Sequence, residues 1–80
     1  MTKIDFLKES LKNRGYSYKI YGDFQVVIDF SNCKVIIWET ISDTLYFKII
    51  DSNEKEIFKK TYKTVNNLFK YGFKKIPRNI

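Results

Sequence analysis

The chain has 80 residues, and its 15 Lys or Arg against nine Asp or Glu leave a net charge of +6, a length that makes one domain with a thin stability margin. Seven Phe, six Tyr and one Trp supply a 44% hydrophobic content without any Ala, which excludes a disordered chain because each large ring hides about 150–250 Å² when buried. One cysteine, Cys33, excludes an internal disulfide framework and a Cys-based zinc site, and the absence of His removes the commonest general base with every Ser-His or Cys-His arrangement.

In chain order, Thr2-Lys3-Ile4-Asp5 predicts a helix start, with Thr2 as N-cap and Asp5 in the first turn, where the dipole favours negative charge. Ile4, Leu7 and Leu11 recur at helical spacing, and Gly15 is placed to end a helix over 3–13. From Tyr16 the period changes to two. Tyr16, Tyr18 and Ile20 form one row, Gly22-Asp23 predicts a two-residue hairpin turn, and Phe24, Val26, Ile28 and Phe30 form a core-facing row against Gln25, Val27 and Asp29. Ser31-Asn32-Cys33 turns the chain. Lys34 to Thr40 and Thr44 to Ile50 follow as strands joined across Ser42-Asp43, and Glu56 to Lys60 forms a short edge strand after the polar turn Asp51-Ser52-Asn53-Glu54. The last element is a helix over 62–71, capped by Thr61 or Thr64, with Val65, Leu68, Phe69 and Gly72 on its apolar side and Gly72 at its end.

The predicted class is therefore α+β: an antiparallel four- to five-stranded meander between an N-terminal and a C-terminal helix, α-β-β-β-β-(β)-α. Residues 1–75 form the domain and 76–80 a short basic tail. The charged start (Lys3, Asp5, Lys8, Glu9) lacks the apolar stretch of a signal peptide, and the longest apolar run, Val35 to Trp38, falls far short of the ~20 residues that span a bilayer. A cytoplasmic protein with no membrane association is expected.

Catalytic groups are sparse. The three glycines stand far apart, so no phosphate-cradling loop is present. Asp51-Ser52-Asn53-Glu54-Lys55 begins like a calcium loop but puts Lys at its fifth position and no Gly at its sixth. Asp29 and Glu39 could meet across strands as a magnesium pair, although solvent-facing strand charges explain them better. No enzyme activity, metal or cofactor is expected.

Charge is segregated instead. Residues 1–54 carry a net −1, and residues 55–80 carry eight basic side chains against the single Glu56. Lys59, Lys60, Lys63, Lys70, Lys74, Lys75 and Arg78, with Tyr71 among them, are the candidate binding residues. Tyr62, Tyr71 and Phe73 sit among the lysines as on a surface that neutralises phosphates and stacks bases, although Tyr62 and Phe73 could instead staple the helix to the sheet. With 13 Lys and two Arg in the chain, backbone contact is expected over base-edge reading. Ile, Lys, Asn, Tyr and Phe make up 43 of the 80 residues, the usage of an AT-rich genome such as those of low-GC bacteria and their phages.

The amphipathic first helix, the stretch Tyr16-Ser17-Tyr18-Lys19-Ile20-Tyr21-Gly22, the strands after it and the aromatic close Leu68-Phe69-Lys70-Tyr71-Gly72-Phe73 resemble the small phage-encoded inhibitors of bacterial defence, anti-CRISPR proteins among them. That resemblance implies a non-catalytic inhibitor that occupies a surface of a host defence or nucleic-acid-handling complex. Members that mimic DNA are acidic, so at +6 the partner would be an acidic protein surface or nucleic acid itself. The alternative is a module that binds DNA or RNA directly, with little sequence choice, through the basic C-terminal third.

Overall fold

Thr2 opens the first helix, α1 (Lys3–Asn13), through a reciprocal cap: its hydroxyl accepts from the Asp5 N–H at 3.2 Å, and its own N–H donates to the Asp5 carboxylate at 3.4 Å. Gly15 closes it in left-handed backbone at φ 82°, with Tyr16 N–H donating to the Leu11 carbonyl at 2.9 Å and Gly15 N–H to that of Lys12 at 3.1 Å. The computed structural model describes residues 2–22 and 25–77. Phe24, expected in the core row, and Asp23 of the first hairpin turn lie outside the described residues.

Five strands follow: β1 (Lys19–Tyr21), β2 (Gln25–Asp29), β3 (Cys33–Glu39), β4 (Leu45–Asp51) and β5 (Glu56–Tyr62). They form one antiparallel sheet whose spatial order is the chain order. The last two hairpins are closed by polar turns. Thr40 N–H reaches the Thr44 carbonyl at 2.8 Å around Asp43 at φ 60°, and Asp51 N–H reaches that of Lys55 at 2.9 Å around Glu54 at φ 63°. Between β4 and β5 the register slips beside Ile49 and Ile50, leaving Ile57 as the extra residue of a bulge.

Alternation decides the two faces. Val26, Ile28, Val35, Ile37, Leu45, Phe47 and Ile49 are fully buried on one of them, and Leu7, Leu11, Val65, Leu68 and Phe69 from both helical segments complete that core. Among the described residues, the sheet is thus covered on one side only. The other face is ordered in rows by the register. Tyr21, Gln25, Trp38, Tyr46 and Thr61 are successive cross-strand partners, as are Lys19, Val27, Ile36, Lys48 and Lys59 one pleat period away. Val27 is buried even here, between its register partners Lys19 and Ile36.

Several expectations are corrected. Tyr62 belongs to β5, not to the last helix, because it is the register partner of Leu45 and its side chain is buried in the core. The helical segment begins at α2 (Val65–Asn67), with the Thr64 hydroxyl accepting from Asn67 N–H at 3.1 Å, whereas Thr61 lies in the strand. It widens into a π-helical turn over Leu68–Gly72 and tightens into a 3₁₀ turn over Phe73–Lys75. Gly72 therefore does not end the helix. Its backbone is helical, and it is Gly because a Cβ there would lie 3.1 Å from the Tyr62 ring and 3.4 Å from that of Phe47. Tyr16 and Tyr18 precede β1 as half-buried rim residues, and Ile20 is exposed on the short edge strand. Phe30 is likewise half-buried just past β2, edge-on to Tyr16 at 6.1 Å. Ile76, the first residue of the expected tail, is buried in the core.

Candidate functional site

β5 is an edge strand, and its alternation sends Phe58, Lys60 and Tyr62 to the helix side of the sheet, opposite Ile49, Phe47 and Leu45. The close approach at Gly72 lays the π-helical turn on Phe47 and Tyr62. The 3₁₀ turn that follows brings Lys74 and Lys75 back alongside β5. The result is an open groove of about 450 Å³ between the strand and the last helical turns, lined by Phe58, Lys60, Tyr62, Tyr71, Lys74 and Lys75.

The groove has an aromatic floor and a cationic rim. Lys60 Nζ stands 5.8 Å from the centre of the Tyr62 ring and Lys75 Nζ 6.0 Å from that of Phe58. Their stems thus lie along apolar surface while the charged heads reach water. Tyr71 is exposed, with Lys70 Nζ 5.3 Å from its ring centre. Among the described residues, Lys60, Lys70, Lys74 and Lys75 make no ion pair, whereas Lys3, Lys8, Lys19 and Lys59 each have a carboxylate within 4.0 Å. Burial raises the pKa of the Tyr62 phenol above its ordinary value.

Four of the expected binding residues, Lys60, Tyr71, Lys74 and Lys75, thus converge on one groove, and Lys70 flanks it. Lys59 does not join them. It points to the open face of the sheet, opposite Lys48, and pairs with Glu56 at 3.5 Å. Lys63 is exposed in the turn before α2 and does not line the groove. Arg78 lies outside the described residues. Of the two floor residues, Tyr62 was expected among the lysines, though in the last helix, and Phe58 was not expected at the site. The signal for Phe58 is the i, i+2 spacing of Phe58, Lys60 and Tyr62, which shows only once β5 is extended to Tyr62.

The acidic and thiol groups stand elsewhere. Asp29 lies on the open face beside Lys19 at 3.6 Å. Glu39, at the far end of β3, accepts from Ile4 N–H of α1 at 3.2 Å, so the two carboxylates do not meet. The Asp51 carboxylate is held by the N–H groups of Asn53 and Lys55, both at 2.9 Å, which makes this stretch a turn and not an ion loop. Cys33 is buried, and burial pushes its thiol pKa up. No cluster of metal-ligating side chains occurs among the described residues, and no described helix is long and apolar enough to cross a membrane. With ammonium groups, ring faces and one exposed hydroxyphenyl, the groove can neutralise and cradle an anionic backbone; none of its lining residues is a carboxylate or imidazole. No family model, curated protein or solved structure matches this chain.

Proposed function

We propose that this chain is a non-catalytic binding protein that acts by occupancy, and that its groove along β5 takes the phosphate backbone of nucleic acid. The observation that carries the proposal is the convergence of Lys60, Lys74 and Lys75 with Tyr71 on one groove in which none of the three lysines has a carboxylate partner among the described residues. Unpaired ammonium groups close together repel one another, and a polyanion relieves that repulsion while releasing its own counterions. Lysine suits this contact as a point charge and gives it little sequence choice. Small size, AT-rich residue usage and the pattern resemblance to phage-encoded inhibitors fit a setting in which occupancy blocks a host defence or nucleic-acid-handling complex.

Titration of a labelled duplex, a single strand and a structured RNA at two salt concentrations tests the proposal. Binding should weaken steeply with salt. Changing Lys74 and Lys75 together to Gln should lower the slope of log affinity against log salt by about two, one for each phosphate that is no longer neutralised. Lys63→Gln, outside the groove, should leave the slope unchanged. If no probe binds tighter than about 10 µM at low salt, the groove is not a nucleic-acid site. A lysate partner that survives nuclease treatment would then assign the lysines to an acidic protein surface.

A further inference from the structure

The sheet face that the helices leave bare carries a second arrangement, independent of the groove and on the opposite side of the sheet. One cross-strand row holds three aromatic rings, Tyr21, Trp38 and Tyr46, together with Gln25 and Thr61. Trp38 and Tyr46 stack on each other with centroids 4.4 Å apart and planes at 18°, and Tyr21 is half exposed to solvent. The adjacent row, about 7 Å away along the strands, contains Lys19, Lys48 and Lys59, of which Lys19 is met by Asp29 at 3.6 Å and Lys59 by Glu56 at 3.5 Å. Lys48 and Lys59 are direct register partners, a like-charge juxtaposition that destabilises the pairing and that an anion lying across both would relieve. Lys48 has no ion pair among the described residues.

From this two-row pattern we propose that the open face binds single-stranded nucleic acid, with unpaired bases on the aromatic row and phosphates on the lysine row. Every base has a ring face that an aromatic side chain can take up, but in a duplex those faces are already stacked and out of reach of a flat sheet. The row crosses five strands at a spacing of about 4.8 Å, so it extends about 19 Å and accommodates more than one base. Charge argues against a second copy of this chain as the occupant, because Lys19, Lys34, Lys48 and Lys59 outnumber Asp29 and Glu56 on this face and two such net-positive faces would repel. The inference rests on the proposed nucleic-acid function and adds its substrate class, the single strand.

Trp38 is the only tryptophan, so its emission reports directly on this face. Oligothymidylate of about 12 nucleotides is titrated against an abasic strand of the same length and charge and a duplex of the same length. Oligothymidylate should quench Trp38 and bind at least about fivefold tighter than the abasic strand, the smallest gain expected of one stacked base. Tyr46→Leu should remove that preference. Lys48→Gln should weaken oligothymidylate binding at low salt while its thermal midpoint stays level or rises, since the opposed charge is gone. The groove variant with Lys74→Gln and Lys75→Gln should still show the quench. Equal affinity for the abasic strand, or binding that leaves Trp38 emission unchanged, overturns the proposal while salt-sensitive binding keeps the groove in play. Absence of binding by every probe sinks both. A Trp38 emission that changes with protein concentration alone, with a dimer by mass, would give the face to a second copy and equally overturn it.

Discussion

Gly72 sits in ordinary helical backbone, at φ −68° and ψ −47°, so its missing side chain answers to its neighbours and not to its torsions. Alanine would gain up to about 1 kcal/mol of helix propensity. Its Cβ would also press to 3.1 Å against Tyr62, whose buried ring is already held edge-on to Phe47 at 6.1 Å. Overpacking of this kind costs about 1–3 kcal/mol, so Gly72→Ala should lose on the order of 1 kcal/mol in a urea melt. A variant more stable than the parent would show that the Tyr62 ring can move aside. At the other end of the chain, hydrogen bonding from the Thr2 side chain, and then from its backbone N–H, holds the Asp5 carboxyl below its ordinary value. A depressed carboxylate stabilises the fold above its unfolded pKa, and that contribution fades as pH falls through the folded value, below about pH 4. Carbon-detected titration of Asp5 should find it low in the parent and nearer the ordinary value in Thr2→Ala; an ordinary value in both would remove the cap from the account.

At the scale of elements, strand parity is the claim most exposed to failure. Ile28 is the sharper test of it than Phe30, because Ile28 is fully enclosed in β2 while Phe30 sits half-buried on the rim beside Tyr16. An unpaired buried carboxylate costs several kcal/mol against a total stability of about 5–15. Ile28→Asp should therefore be unfolded by circular dichroism, and a cooperatively folded Ile28→Asp protein would put the sheet inside out. The first helix and the rows of β3 and β4 were legible in the sequence because each has a cap or period that one stretch of chain carries alone. The end of β5 was not. Lys59-Lys60-Thr61-Tyr62 has no strong period, and Tyr62 joins the strand only because Leu45 and Phe47 stand ready to bury it. The same dependence hid the groove: the lysines announced themselves by composition, but Tyr71, Lys74 and Lys75 came beside Phe58 and Tyr62 only through the π-helical turn and the 3₁₀ turn after it. The open-face rows were hidden for a related reason, since register between strands decides which residues of a meander line up.

For the whole molecule, the two proposed contact surfaces lie on opposite sides of one sheet, and β5 contributes to both by alternation, Lys60 to the groove and Lys59 to the open face. α1 is tied across the fold by the Ile4 N–H to Glu39 contact at 3.2 Å and by the Lys3–Asp43 pair at 2.9 Å. The meander, with every strand beside its neighbour in sequence, also bears on how the chain reaches this state. Each pairing closes a short loop, so little entropy is spent before contacts form, and such local topologies fold quickly for their strand content. The two helical segments cover the same face from opposite ends of the chain, so the core around Phe47 is complete only when both termini have arrived. Hairpins should therefore form early and the helices dock late, with an overall refolding time on the order of milliseconds. Trp38, in the central strand, is placed to follow it by stopped-flow fluorescence: a single exponential on that scale is expected, and a dominant phase lasting many seconds would mean that sheet formation waits for something other than these neighbouring strands.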